Sequence, residues 1–116
     1  MLAYEPEETV LDILETADRH PLTADTLTSP ADIIDRIREA RAAGYCIVTN
    51  ESEPGVTSIA APVFAANGHA AAAVSIAVMR SAWPQEKVRE CLLPLITETS
   101  RVITQAFTGT ESLSRL

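Results

Sequence analysis

The sequence feature that most constrains the fold is an Asn67-Gly68 dipeptide between two long apolar runs, at residues 56–65 and 70–79. Both residues tolerate the positive φ of a type I′ turn, so the pattern predicts a β-hairpin with a two-residue loop. That loop fixes which residues of the two strands face each other. The predicted pairs are Phe64 with Ala71, Ala60 with Ser75, and Ser58 with Ala77.

The same region, residues 54–79, contains no Asp, Glu, Lys or Arg. Pro62 and the polar group at residues 67–69 divide it into apolar runs well short of the roughly 20 residues that a membrane-spanning helix needs. We therefore expect a buried sheet and no membrane partner.

The hairpin register sorts the side chains into two chemically different faces. One face is bulky and aliphatic and should pack under a helix; it carries Ile59, Ala61, Val63, Ala72, Val74, Ile76 and Val78. The other, which we call the small-residue face, carries Val56, Ser58, Ala60, Pro62, Phe64, Ala71, Ala73, Ser75 and Ala77. Small side chains suit either a closely packed second layer or the floor of a cavity bearing two hydroxyls, and the sequence leaves both interpretations open.

Helical periodicity predicts elements on both sides of this hairpin. A first helix opens at Pro6 and ends near Arg19, and a second runs from its N-cap Ser29 to Gly44. A further strand is predicted at residues 45–48. The expected fold class is therefore α+β, an antiparallel sheet flanked by helices.

A long final helix is predicted from Pro84 towards Phe107, with a kink or break at Pro94, because proline removes a backbone donor and clashes with the preceding turn. Residues 1–109 form the predicted domain, and residues 110–116 a flexible tail. The expected core stripe of the final helix is Val88, Leu92, Leu95, Thr99, Val102, Ile103 and Ala106.

Charge and motif content exclude several classes of function. Sixteen acidic against nine basic residues give a net charge of −7, and this surface would repel nucleic acid. Cys46 and Cys91 lack disulfide or metal-ligand spacing, and no nucleophile, general base or phosphate-binding motif occurs, so no catalytic residue, metal or cofactor is expected. His20 and His69 fall in predicted loops. An acidic N-terminus without a signal-peptide pattern favours the cytoplasm.

Several segments, in their order along the chain, resemble the effector-binding domain of IclR-type transcription regulators: Met1-Leu-Ala3, Gly44-Tyr45, a polar loop at residues 50–55 and the run Ile59-Ala-Ala-Pro-Val-Phe64. The resemblance implies a GAF-like fold, a small-molecule pocket on one sheet face and assembly into dimers or tetramers. It also implies that the chain is the C-terminal part of such a domain, incomplete relative to the full family domain and lacking the winged helix-turn-helix that binds DNA.

Five ligand-binding positions follow from this resemblance: Val48, Val56, Ser58, Ser75 and Ala77. Val48 replaces an acid and Ala77 a serine of the family pattern, so the implied effector is apolar or aromatic, anchored by the two serines. The alternative is a degenerate structural or dimerisation module that binds no ligand. An enzyme is not expected.

Overall fold

The computed structural model describes the backbone of residues 1–114 and the side chains of residues 1–109. A 3₁₀ turn, Leu2–Tyr4, precedes α1 (Glu7–Thr16) and α2 (Pro30–Ala43). Three strands follow, β1 (Cys46–Thr49), β2 (Val56–Phe64) and β3 (Ala70–Met79). The last described elements are α3 (Gln85–Lys87), a π-helical turn (Val88–Leu92) and α4 (Leu93–Ser114). The predicted flexible tail reaches beyond the described residues and stays a prediction; the backbone of 110–114 continues α4.

The three strands form one antiparallel sheet in the order β1-β2-β3, which confirms the predicted α+β class. In the hairpin, Ala60 lies opposite Ser75 and Ser58 opposite Ala77, as the sequence predicts. β1 pairs with the other side of β2, where Val48 lies opposite Ser58. The two predicted faces of the hairpin are therefore real, and β1 extends both.

The hairpin turn differs from the prediction. The Ala65 N–H donates to the His69 carbonyl at 2.9 Å and the Gly68 N–H to the Ala65 carbonyl at 3.0 Å, so the loop has three residues. Of the loop residues only Gly68 has a positive φ, 84°, which identifies a type I turn followed by a left-handed glycine. A type I′ turn would require Asn67 to adopt a positive φ as well.

The extra loop residue would shift every later pair by one position, but a bulge cancels it. Phe64 pairs with Ala70 and not with Ala71 as predicted, whereas Val63 already lies opposite Ala72. Ala71 is the additional residue of the bulge. The predicted Phe64–Ala71 pair is wrong, and the pairs farther from the turn are correct because the two irregularities compensate each other.

The aliphatic face packs under the C-terminal helices, as predicted, and forms the core. Ile59 and Val88 are fully buried, and Ile96 is 1% exposed. The predicted core stripe of the final helix is partly wrong, since Leu95 is 56%, Val102 50% and Ile103 40% exposed, and Ala106 is exposed as well. Among the side chains of this helical region that the structure describes, those of Val88, Leu92, Ile96 and Ser100 are buried.

The π-helical turn explains this error. Pro94 has no N–H and would clash with the carbonyl four residues earlier, and the Leu93 N–H instead bonds to the Val88 carbonyl, five residues back. A π turn holds one extra residue, so the buried side of the following helix shifts by one position, from Leu95 to Ile96. The predicted kink or break at Pro94 takes the form of this turn, and the helical run continues.

The N-terminal elements pack together at the Phe64 end of the small-residue face. Ala3 is buried, and the Tyr4 ring meets Phe64 edge-on with centroids 4.9 Å apart. Arg38 of α2 contacts Glu7 of α1 at 2.7 Å, with both side chains more than half exposed. α2 has no buried residue. This layer is therefore looser than the one that α4 forms on the opposite face.

Candidate functional site

The five predicted ligand-binding residues lie on one face of the sheet. Val48, Ser58 and Ala77 form a single row across the three strands, because Ser58 lies opposite Val48 on one side and Ala77 on the other. Val56 and Ser75 occupy neighbouring positions of the same face, each two residues along its strand from this row. Directly opposed residues have Cβ atoms about 4.5–5.5 Å apart, so one small molecule can contact several of them.

This part of the small-residue face is open to solvent. Ser75 and Ala77 are exposed, whereas Val48, Val56 and Ser58 are half-buried. No residue of β3 is buried. A closely packed second layer, one of the two interpretations that the sequence left open, is therefore wrong at these positions. They form an uncovered floor and not an enclosed cavity.

A cleft does lie on the same face, towards its Phe64 end. It has a volume of about 50 Å³ and is bounded by the 3₁₀ turn, the C-terminal end of α2 and the sheet. Ala60 lines it and lies opposite Ser75, so the cleft adjoins the row of predicted site residues. The full lining is Met1, Ala3, Tyr4, Ala40, Gly44, Tyr45, Cys46, Ala60, Ala61, Pro62 and Ala73, which makes the cleft predominantly apolar.

Sequence reasoning missed the residues that wall this cleft. The strand pattern placed Ala60, Pro62 and Ala73 on the correct face but gave no signal that they line a cleft. Tyr4 and Tyr45 reach it through packing between distant segments, which no local periodicity reveals. The available signal was the Leu2-Ala3 pair of the Met1-Leu-Ala3 segment, which formed part of the resemblance but received no site role.

A polar cluster borders the floor beside β1. Arg36 of α2 contacts Glu51 at 3.0 Å, with 35% and 15% of the two side chains exposed. Cys46 lies near this pair, and burial raises the pKa of its thiol; Arg36 opposes that rise and Glu51 adds to it. The thiol is therefore protonated at neutral pH, which fits an inert side chain and not a nucleophile.

The β1–β2 loop closes the opposite end of the floor. Thr23 and Thr26, from the segment before α2, donate hydroxyl hydrogen bonds to the carbonyls of Asn50 and Glu51. Asn50 adopts a left-handed backbone, φ 62°, and its Oδ1 accepts the Gly55 N–H at 2.8 Å. These bonds fix the loop next to the Val48 row.

The arrangement is suited to binding and offers little for covalent chemistry. Among the residues that the structure describes, no group of three or more His, Cys, Asp or Glu side chains could hold a metal ion. His20 and His69 are exposed. Within the part of the chain that the structure describes, every helix is too short or too polar to span a bilayer. The floor offers two serine hydroxyls among aliphatic side chains.

Comparisons with known proteins agree with this description. A family model described as "Bacterial transcriptional regulator IclR C-terminal" matches residues 1–105, most of the predicted domain. The Pca regulon regulatory protein of Pseudomonas putida is 30% identical over 101 residues, which cover 87% of this chain and 35% of that protein. The chain thus spans about a third of the length of this relative. Such relatives are regulators and not enzymes, in line with the sequence prediction.

Solved structures resemble the fold closely. A transcriptional regulator from Rhodococcus sp. RHA1 superposes with a TM-score of 0.91 and 31% identity, over 94% of this chain and 44% of that one. The inducer-binding domain of PobR from Acinetobacter, a double mutant in complex with 3-hydroxybenzoic acid, gives a TM-score of 0.84 and 26% identity, over 89% and 59% of the two chains. The family match, the sequence identity and the fold together show that the chain belongs to the family of C-terminal domains of IclR-type bacterial transcriptional regulators.

Proposed function

We propose that this chain senses a small-molecule effector for an IclR-type transcriptional regulator and binds it on the small-residue face of the sheet. One observation carries the proposal: Val48, Val56, Ser58, Ser75 and Ala77 share one face, no residue of β3 is buried, and an apolar cleft adjoins them. A floor that a helix covered completely would offer a ligand no access.

The effector is apolar or aromatic. Val48, Val56 and Ala77 supply walls without hydrogen-bonding groups, and Ser58 and Ser75 supply hydroxyls that can donate or accept one bond each to a polar substituent. A ligand with several charged oxygens would find only two hydroxyl partners on the floor, and each further oxygen that binding withdraws from water would cost about 1–3 kcal/mol. The aromatic acid in the PobR complex supports aromatic probes as a first choice.

The mechanism is a shift of population between two arrangements, with no reaction at the ligand. An effector favours whichever arrangement it binds more tightly, by the ratio of its two affinities. The regulator assembles as a homodimer or homotetramer in the cytoplasm. This chain carries a net charge of −7 and would repel DNA, so a winged helix-turn-helix elsewhere in the regulator binds the DNA.

The proposal is tested by calorimetry with benzoate, 3-hydroxybenzoate, benzyl alcohol and glyoxylate. We expect at least one aromatic compound to bind, and Ser58→Ala and Ser75→Ala each to weaken its affinity roughly fivefold, the net effect of one hydrogen bond. Ser81→Ala, an exposed serine in the turn after β3, is the matched control and should bind normally. Tight binding of glyoxylate without any aromatic binding would reverse the assignment of ligand class.

A second function, an oligomerisation module without ligand binding, is favoured by one observation. Ser75 and Ala77 are exposed, and the cleft on this face lies beside them and not over them. Measurement of molecular size and thermal unfolding with and without the four compounds separates the two functions. A sensor gains thermal stability on ligand addition, whereas a purely structural module self-associates and gains none.

A further inference from the structure

Two hydroxyls of α4 hold the end of β2 that β1 does not reach. β1 pairs with β2 only at residues 57–60. Farther along, the Ser100 hydroxyl donates to the Pro62 carbonyl, and the Phe64 N–H donates to Thr104 Oγ1 at 3.2 Å. Ser100 is 8% exposed, so its bond is largely shielded from water.

The spacing of these two bonds sets the position of α4 along the strand. Ser100 and Thr104 are four residues apart, which advances an α-helix by about 6 Å. Pro62 and Phe64 are two residues apart, which advances a strand by about 6.6 Å. Because the two repeats match, both bonds form in one register, and sliding the helix by one residue breaks both.

The same strand residues border the apolar cleft with their side chains. Pro62 lines the cleft directly. The Phe64 ring packs edge-on against Tyr4, which forms part of the opposite wall. The backbone of residues 62–64 therefore separates the cleft from α4, and any movement of this segment acts on both.

The cleft is too small for an aromatic effector in its present form. Its volume is about 50 Å³, whereas pockets for small organic ligands usually measure about 300–1,000 Å³. An effector whose ring enters between Tyr4 and Pro62 must push these walls apart. One of the walls is the strand segment that Ser100 and Thr104 hold.

We propose that effector binding in the cleft displaces the end of β2 and loosens the Ser100 and Thr104 hydrogen bonds, which couples the binding face to α4. This inference rests on the proposed function. α4 exposes Leu95 and Val102 on another side, so a displaced α4 presents an altered apolar surface. Coupling is reciprocal: if the ligand weakens these two bonds, removing them strengthens ligand binding by the same factor.

The test compares Ser100→Ala and Thr104→Val with Thr97→Val. Thr97 lies on the exposed side of the same helix and bonds only to the helix carbonyls of Leu93 and Pro94, so it is the matched control. Each protein is titrated with benzoate and 3-hydroxybenzoate by calorimetry after circular dichroism confirms its fold. We expect Ser100→Ala and Thr104→Val to bind about fivefold tighter than the wild-type chain, and Thr97→Val to bind equally.

A second measurement needs no substitution. Hydrogen exchange of the Phe64 amide, followed by NMR in the wild-type chain, should become several-fold faster when the probe is bound, because that amide loses its Thr104 acceptor. Probe binding with unchanged Phe64 exchange, or with wild-type or weaker affinity in both variants, overturns the coupling and leaves the proposed function intact. If neither probe binds any of the four proteins, the proposed aromatic sensing fails and the coupling fails with it.

Discussion

The two faces of the sheet differ in how they are covered. On the aliphatic face, α4 and the π-helical turn bury Ile59 completely, in a core cluster that includes Val88 and Ile96. On the small-residue face, the 3₁₀ turn and α2 cover only the Phe64 end, α2 has no buried residue, and Ser75 stays exposed. The contacts that stabilise the fold are therefore concentrated on one side of β2, which leaves the other side free for binding. Five measurements test this contrast, beginning with the largest expected effect.

Shortening a side chain on the aliphatic face should destabilise the chain far more than doing so on the opposite face. Ile59→Ala removes a fully buried side chain from the core, and we expect a loss of about 2–5 kcal/mol in the free energy of unfolding. Val56→Ala, on the same strand but half-buried on the small-residue face, should cost about 1 kcal/mol or less. Urea denaturation measures both. Equal losses would mean that the two faces contribute equally to stability.

The next largest effect concerns the turn that assigns side chains to the two faces. Gly68 has φ 84°, and an L-residue pays about 1–2 kcal/mol in that conformation, so Gly68→Ala should lower the free energy of unfolding by that amount. Gly109, within α4, has open space around its Cα and no positive φ. Gly109→Ala should therefore stabilise the helix, by up to about 1 kcal/mol. A Gly68→Ala variant that is as stable as the wild-type chain, or more stable, would contradict the assigned turn.

Local periodicity predicted the contrast between the faces but not its details. Strand alternation and the Asn67-Gly68 signal were sufficient to place Ser58 opposite Ala77, since register follows from a period of two. The left-handed Gly68 loop and the Ala71 bulge were missed, yet they cancel, so the faces are correct. The resemblance selected Val48 and Val56, and the structure places both on the face that the hairpin pattern had marked.

The sequence-based predictions fail where the structure of one segment depends on its contacts with another segment. Pro94 signalled an irregularity in the final helix. Whether Leu95 or Ile96 is buried depends on the π turn that forms there. A prediction from helical periodicity assumes a regular helix, which has no such extra residue. The cleft depends on Tyr4 meeting Phe64, a contact between residues sixty positions apart in the chain. Such long-range packing has no signature in a single sequence.

A smaller difference between the protein's surfaces is expected in the reactivity of the two cysteines. Cys46 is half-buried on the small-residue face with its thiol pKa raised by burial, whereas Cys91 is exposed. At pH 8 iodoacetamide should therefore alkylate Cys91 first, and an aromatic ligand in the cleft should slow the reaction of Cys46 alone. Mass spectrometry of digested samples over time measures both rates. Equal slowing of the two cysteines would indicate a global effect and not occupancy of the cleft.

The raised pKa of the Cys46 thiol also determines how the stability of the chain changes with pH. Above the unfolded pKa of the thiol, the unfolded chain loses this proton while the folded chain keeps it, so stability falls as pH rises. That contribution is fully present below the unfolded pKa. Cys46→Ser should flatten the alkaline side of the stability curve, measured by urea denaturation between pH 7 and roughly pH 10, the range that spans ordinary thiol titration. A curve that stays as steep as wild type would assign the alkaline loss to other groups.

The smallest effect is expected at the ion pair that joins α1 to α2. The hydrogen bond from Arg38 lowers the pKa of the Glu7 carboxyl, and the charge of Arg38 lowers it further, yet the pair is solvent-exposed. Because the folded pKa is lowered, any stabilisation is present above the unfolded pKa and is lost as pH falls through the folded value. Glu7→Gln should therefore change the urea midpoint only slightly at pH 7, and moderate salt should remove the difference. Glu8→Gln, on the same first turn, is the control. A large, salt-insensitive loss in Glu7→Gln alone would show that the helical layer over the small-residue face is held as firmly as α4 is on the other side.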